Sequence, residues 1–421
     1  MHRKVTLANG LRIVTTSMPH TRSVAMGIYT GVGSRYETEA EGGTSHFIEH
    51  MLFKGTARRP TAQQIAEEIE GLGGELNAST SDEVTTYWAK VADQHFPIAL
   101  DVLLDMFRHS TLAPEEVEKE RQVITQEICR EMDTPEARVH TLIKQMVWPD
   151  HPIGRDTAGT KESVSAISRQ NMLDYIARNY APCSTVISLA GKLDQSRVVD
   201  QLNENLGDWQ AVPKPAFAPV VDAPTGPRVR VEYKETEQAH VCVGLRGLSS
   251  DSPDRFKLGI LNTILGEGMS SRLFLEIREK RGLAYSVGSY TSRLRDTGSM
   301  VLYAGVPPRK APDTVSAMME QLALLRDTAV PGSELTKAKE FTKGQLLLHM
   351  ESTQANANWV AGQEVTDRKV LSVDEVIARV DAVTAEDVQQ IARCFFAMPA
   401  LSLAAIGPFK GASGFRSRLK L

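Results

Sequence analysis

The chain has 421 residues, more than one typical core supports, so two domains of about 200 residues each are expected. Apolar residues at 42% and charged residues at 24% exclude a disordered chain, and a net charge of −4 gives no reason to expect nucleic acid or an anionic membrane as partner. No apolar stretch reaches the roughly 18 residues a membrane span needs, and the alternating "MHRKVTLANGLRIVTT" lacks the apolar core of a signal peptide, so a cytoplasmic location is expected. Cys129, Cys183, Cys242 and Cys394 form no CxxC pair. Three of them lie in apolar periodic runs, which predicts buried free thiols.

Strand-like alternation opens the chain in "LRIVTT" and "VAMGIYTGVGS". A helix through "HFIEH" (46–50) follows, then a second through "TAQQIAEEIEGLGG", with Thr61 and Gln64 suited to a capping box and Gly71 to its stop. A strand pair is predicted around "ELNASTSDEVTTYWAKVA", then a helix from about Phe96 and a long helix after Pro114. The proline-rich stretch 211–227 reads as a linker. Beyond it come strands "VRVEYKE" and "HVCVGLRG", helices through "DRFKLGILNTILG" and "LFLEIREKRG", strands "AYSVGSYTSRL" and "GSMVLYAGVP", helix "APDTVSAMMEQLALLRD" and a long helix after Pro331.

The order is the same on both sides of the linker. "PEEVEKERQVITQE" lies over "PGSELTKAKEFTKGQ" with one inserted residue, pairing Val117 with Leu335, Glu120 with Ala338 and Glu127 with Gln345. The expected fold is α+β: an internal duplication giving two homologous domains, 1–210 and 228–421, each a mixed, mostly antiparallel sheet with helices packed on one face. The duplication is also a control, because a residue kept for packing should have a counterpart in the other half. "HFIEH" instead faces "NTILG" (262–266), so its polar set is peculiar to the first half.

His46 and His50 stand at i and i+4, a spacing that sends two imidazoles from one helix face toward a single zinc ion. Glu49 on the same side can accept a proton from a water activated by that ion, and the order His-x-x-Glu-His is the inverted form of the zincin helix. Glu120 and Glu127 lie two turns apart on the long helix, facing the same way as Val123 and Ile124, and a carboxylate among apolar neighbours is costly unless paired or bound to metal. Glu127 is the expected third ligand and leaves a fourth position open. Glu120 is expected to orient a histidine or the water.

At "GGTSHFIEHMLFKGT", "GGELNASTSDEVTTYW" and "EKERQVITQE" the chain resembles the pitrilysin or insulinase-like inverzincin peptidases, in particular their half-length bacterial members and the catalytic subunit of the mitochondrial processing peptidase. The resemblance spans essentially the whole chain. It implies one zinc ion per chain held by His46, His50 and Glu127, with Glu49 as general base. It further implies that Asn77, Ala78, Ser79 and Thr80 form an exposed edge strand on which an extended peptide docks, with Phe53 nearby among the substrate contacts. In "RLFLEIREKRGLAYSVGSY", Arg278 and Tyr285 match a family arginine and tyrosine that reach the substrate, Tyr285 donating to the oxyanion and Arg278 holding a carbonyl. Full-length relatives join two such units around a chamber, so a half-length chain is expected to dimerise, with Arg278 and Tyr285 entering the zinc site of the other copy.

Some positions depart from the family. Counted without gaps, the acidic positions that select an upstream arginine in processing peptidases are Ala137 and Thr141 here, and the usual Gly-Asp after a late strand reads Gly191-Lys192. "GEGMSS" (266–271) resembles the family's glycine-rich loop. The expected activity is zinc-dependent hydrolysis of extended peptides inside a homodimer chamber. Two other readings stand beside it: a subunit that needs a different partner chain, and a non-catalytic assembly subunit such as respiratory-complex relatives of this fold.

Overall fold

The structure is a computed structural model that describes residues 2–221, 225–366, 370–397 and 401–421. Residues 222–224 of the expected linker lie outside the described residues. In chain order the first half runs β1 (His2–Thr6), β2 (Arg12–Ser17), β3 (Ser23–Thr30), α1 (Thr44–Leu52), α2 (Ala62–Glu70), β4 (Glu75–Thr80), β5 (Thr85–Ala92), α3 (Phe96–His109), α4 (Pro114–Asp133), α5 (Pro135–Val147), α6 (Lys161–Ala166), α7 (Arg169–Asn179), β6 (Thr185–Gly191) and α8 (Gln195–Leu206). The second half runs β7 (Arg228–Tyr233), β8 (Ala239–Gly247), α9 (Arg255–Gly266), a π-helical segment (Phe274–Lys280), β9 (Ser286–Arg293), β10 (Gly298–Val306), α10 (Ala311–Asp327), α11 (Gly332–His349), α12 (Thr353–Thr366), α13 (Val373–Asp381), α14 (Ala385–Phe395), β11 (Ser402–Gly407) and α15 (Ser413–Arg416).

Local chemistry sets several boundaries. Thr61 Oγ1 accepts the Gln64 amide at 3.2 Å while Gln64 Oε1 accepts the Thr61 amide at 3.1 Å, the reciprocal box that starts α2. Between α4 and α5, Thr134 turns extended and Pro135 opens a new helix where its missing N–H costs nothing.

The duplication is visible in the sheets. One has the order β1-β2-β6-β3-β5-β4 and the other β7-β11-β8-β10-β9. In each, a single parallel pair (β2 with β6, β7 with β11) sits beside antiparallel ones. The long helices also agree in register: α4 starts at Pro114 and α11 at Gly332, so Glu120 and Ala338 hold the same place in their helices, as do Glu127 and Gln345.

The compact units are not the two contiguous halves. The first comprises Met1–Ile128, Arg155–Ala218 and Leu348–Val370; the second comprises Cys129–Gly154, Pro219–Leu347 and Leu371–Leu421. Helix α12, from the second half of the chain, thus belongs to the first unit, and α5, from the first half, belongs to the second. In the first unit, Ile13, Val24, Met26, Ile28 and Leu189 bury against α1, α2 and α3. Val14, Tyr29 and Val186, of opposite parity, bury against Val360, Ala361 and Val365 of α12. Polar contacts fix α12 in place: Tyr29 Oη to Asn358 Oδ1 at 2.5 Å, Ser188 Oγ to the Ala357 carbonyl at 2.8 Å, and buried Glu364 to Lys4 at 2.5 Å and Arg12 at 3.2 Å. In the second unit α5 plays the same part, its Val139, Leu142, Ile143 and Val147 covering Cys242, Val301, Ala404 and Ile406. A single cut at the linker therefore separates α5 and α12 from the sheets they cover.

Cysteine burial differs from expectation. Cys242 is buried under α5, Cys129 and Cys183 are half-buried, and Cys394 is exposed at the end of α14. Among the described residues, no helix is long and apolar enough to cross a membrane.

Candidate metal centre

Helix α1 buries Phe47, Ile48, Met51 and Leu52 and turns His46, Glu49 and His50 to a partly open face. The α4 face that meets the core carries Val117, Glu120, Ile124 and Ile128, all buried, with Glu127 at its rim. Val123, expected to share that face, is 44% exposed: it lies one position before Ile124 and points to the solvent side.

His46 Nε2 and His50 Nε2 are 3.2 Å apart, and Glu127 Oε2 lies 3.8 and 3.7 Å from them. Tetrahedral zinc with bonds near 2.05 Å separates its ligand atoms by about 3.3 Å, so the two nitrogens and one oxygen surround a position that suits this ion. These three residues are the one such cluster of metal-ligating groups among the described residues. The set of two imidazoles and one carboxylate is that of a catalytic zinc site with an open fourth position.

The surrounding groups prepare the donors. Glu120 Oε1 lies 2.8 Å from His50 Nδ1, which directs the Nδ1 proton to the carboxylate and leaves the Nε2 lone pair free. The other oxygen of Glu120 pairs with Lys54 Nζ at 2.5 Å. Burial, with help from the neighbouring His50, pushes the His46 pKa down to about 4 and keeps that imidazole neutral. Burial also works against protonation of His50, but the Glu120 hydrogen bond and the charges of Glu127, Glu120 and Glu49 outweigh it and raise its pKa. Burial raises the Glu49 pKa, opposed by a short hydrogen bond from Thr80 Oγ1 and by His50, and reinforced by Glu127.

Asn77, Ala78, Ser79 and Thr80 lie on β4, which among the described residues pairs with β5 alone and forms the edge of its sheet. Phe53 ends α1, half-buried against the core. Arg278 and Tyr285 belong to the other unit and touch one another: Arg278 Nη1 donates to the Tyr285 carbonyl at 3.0 Å, its guanidinium lies 4.9 Å from the ring, and Tyr285 is 74% exposed. Ala137 and Thr141 do not continue the Glu127 helix. They lie beyond the Thr134–Pro135 break, on α5 of the second unit. Lys192 pairs with Asp93 at 2.7 Å. Sequence reasoning missed Lys54 as the partner of Glu120, Thr80 as the donor to Glu49, and Glu37, whose buried carboxylate meets the start of α1. A lysine just past the helix that carries the histidines was the one available hint for Lys54.

Residues 12–161 match the family described as Insulinase (Peptidase family M16), and residues 166–341 match the Peptidase M16 inactive domain. A Streptomyces coelicolor protein named an uncharacterized zinc protease is 39% identical over 415 residues, 97% of this chain and 90% of its own. The Bacillus subtilis zinc protease YmxG, also named uncharacterized, is 39% identical over 396 residues, 94% of this chain and 96% of its own. A crystal structure of a protease from Helicobacter pylori shares the fold with a TM-score of 0.90 at 22% identity, over 97% of this chain and 99% of that one. The chain belongs to the insulinase family, peptidase family M16.

Proposed function

We propose that this protein is a zinc endopeptidase that cuts extended, unstructured peptides. The observation that carries the reading is the meeting of His46, His50 and Glu127 at the distances of one tetrahedral cation, beside a carboxylate, Glu49, that is not needed to hold it. Zinc bound there would supply a Lewis acid for the scissile carbonyl and lower the pKa of the attacking water. Glu49 takes the water's proton and passes it to the leaving amine. Its raised pKa suits both halves of that transfer, and Thr80 fixes its orientation. Glu120 holds the tautomer of His50. The free edge of β4 aligns the substrate backbone by strand addition, which favours extended chains over folded ones.

Tyr285 donates a hydrogen bond to the oxyanion and Arg278 holds a substrate carbonyl, both offered from a second copy of the chain in a homodimer that encloses the substrate. Metal analysis and a quenched-peptide assay on wild type and Glu49→Gln test the reading. The mutant is expected to keep its zinc and lose turnover; wild type purified without zinc, and unable to bind it, overturns the proposal. Size-exclusion chromatography of the purified chain, with activity assayed across the peak, tests the homodimer against a need for a different partner.

A further inference from the structure

Helix α1 has no cap of its own. Its N-cap is Gly43, with φ +93°, and a Cβ there would lie 2.6 Å from the Ala158 carbonyl, so no capping side chain can stand at that position. The first amides of a helix nevertheless need acceptors. They find one in a side chain from an upstream turn: Glu37 Oε2 accepts the Gly43 amide at 2.8 Å and Oε1 accepts the Ser45 amide at 2.6 Å. Glu37 is only 4% exposed. Arg155 donates to its backbone carbonyl, and Ser45 Oγ lies 3.0 Å from the buried Tyr175 hydroxyl. A carboxylate this buried is costly, and the positive end of the helix dipole is one of the few places that offsets the cost.

One carboxylate that bridges two amides fixes both the rotation and the axial position of the first helical turn. His46 follows Ser45 in that turn. Its ring meets His50 and Glu127 through Nε2, the atom that would bind the metal, but His46 Nδ1 is buried with no hydrogen-bond partner among the described residues, whereas His50 Nδ1 meets Glu120. The two histidines are thus oriented by different means, His50 through its ring and His46 through the backbone beneath it.

We infer that Glu37 is a positioning residue for the metal centre, holding the first turn of α1 so that His46 Nε2 meets His50 and Glu127. The inference rests on the zinc-peptidase reading. Glu37→Gln keeps the side-chain shape but replaces one acceptor with an NH2 group facing an amide. Its zinc dissociation constant, measured by competition with a chromophoric chelator, is expected to rise roughly ten- to a hundredfold, as for loss of other groups that orient metal ligands. The visible absorption bands of the cobalt-substituted protein are expected to shift as the ligand geometry changes.

A merely structural role would lower the unfolding midpoint and leave both readouts in place. Glu364→Leu, which loosens the opposite face of the same unit, is the control and is expected to keep wild-type zinc affinity. A Glu37→Gln dissociation constant within about twofold of wild type, with an unchanged cobalt spectrum, overturns the inference. Should that variant not fold, Glu37→Asp, which retains the charge but shortens the reach, is judged by the same two results. If wild type binds no zinc, the function reading fails, and hydrogen exchange in the metal-free protein decides this inference alone. Faster exchange of the Ser45 amide in the variant supports the anchoring of α1; unchanged exchange removes it.

Discussion

The two units share a five-strand order, to which the first adds β1, and each places a helix against the edge strand, yet they use that junction differently. In the first, α1 presents two imidazoles toward Glu127 of α4. In the second, the pairing of the halves puts Asn262 and Gly266 at the histidine positions and Gln345 at the glutamate position. Asn262 is absorbed by its neighbours, donating to Glu267 Oε1 at 2.6 Å and accepting from Ser289 Oγ at 2.7 Å. A Cβ on Gly266 would come within 2.4 Å of the Ser289 amide, so β9 closes on the helix end and leaves no room for a side chain. Glu120 and Ala338 sharpen the point: they are equally buried, at 4% and 2%, at the same place in their helices. The fold needs only a small filler there, so the charge in the first unit serves something other than packing.

The strongest test of this contrast is His50→Ala. It is expected to lose the bound zinc, measured by atomic emission, and to lower hydrolysis to the uncatalysed background, while the folded structure persists because Gly266 shows that the fold tolerates a residue without an imidazole there. Retained zinc and turnover would break the comparison. Next comes a residue of the unit without metal ligands: Tyr285→Phe is expected to lower kcat by about 10²–10³ with zinc content unchanged, the loss typical of one oxyanion donor. Undiminished turnover would leave the second unit without a chemical role.

Much of this was legible in the sequence because it is local or repeated. The i, i+4 histidines, the Thr61–Gln64 box and the offset linking Glu120 to Ala338 can all be read along one strand of text. The exchange of α5 and α12 between units cannot, because the apolar stripe of Val139, Leu142, Ile143 and Val147 states which face is buried but not beneath which sheet. Thr80, Lys54 and Glu37 were missed as partners for a related reason: each makes its contact through a turn or an adjacent element, with no periodicity to announce it. Tyr285 stood out only through family resemblance, since an exposed tyrosine before an edge strand carries no signal of its own.

The exchanged helix can be tested directly. Glu364→Leu removes a carboxylate from buried Arg12, and is expected to cost roughly 3–5 kcal/mol in urea unfolding, the range for breaking a buried ion pair. A change below about 1 kcal/mol would show that the Glu364 ion pairs add little to the hold on α12. A smaller, pH-dependent effect belongs to Glu37, whose pKa burial raises to about 7 against the Ser45 and Gly43 amides, the Ser45 hydroxyl and Arg155. The folded state then holds this proton more tightly than the unfolded state. Its contribution is full below about pH 4.5, is lost as pH rises through about 7, and amounts to at most about 3 kcal/mol. The stability of wild type relative to Glu37→Gln should therefore fall between pH 4.5 and 8, and a flat difference would show that the carboxylate ionises normally.

The smallest expected effect is the most direct probe of the duplication. Gln345→Glu restores a carboxylate to the α11 position that matches Glu127, and if one ligand were all the second unit lacked, a second zinc equivalent would follow. None is expected. The cation would also need two imidazoles. Asn262 is hydrogen-bonded on both its amide atoms, and Gly266 faces the β9 backbone at a distance that excludes even a methyl group. Gln345 borders an open cavity of about 560 Å³ with Glu267, Ser289 and Phe341, so the added charge can be solvated and should change stability by no more than about 0.5 kcal/mol. Metal titration that still saturates at one equivalent would show that the second unit lacks more than the counterpart of Glu127, as Asn262, Gly266 and the approach of β9 to α9 lead one to expect. A second equivalent would mean that β9 can open, and that the two units remain closer in function than their packing indicates.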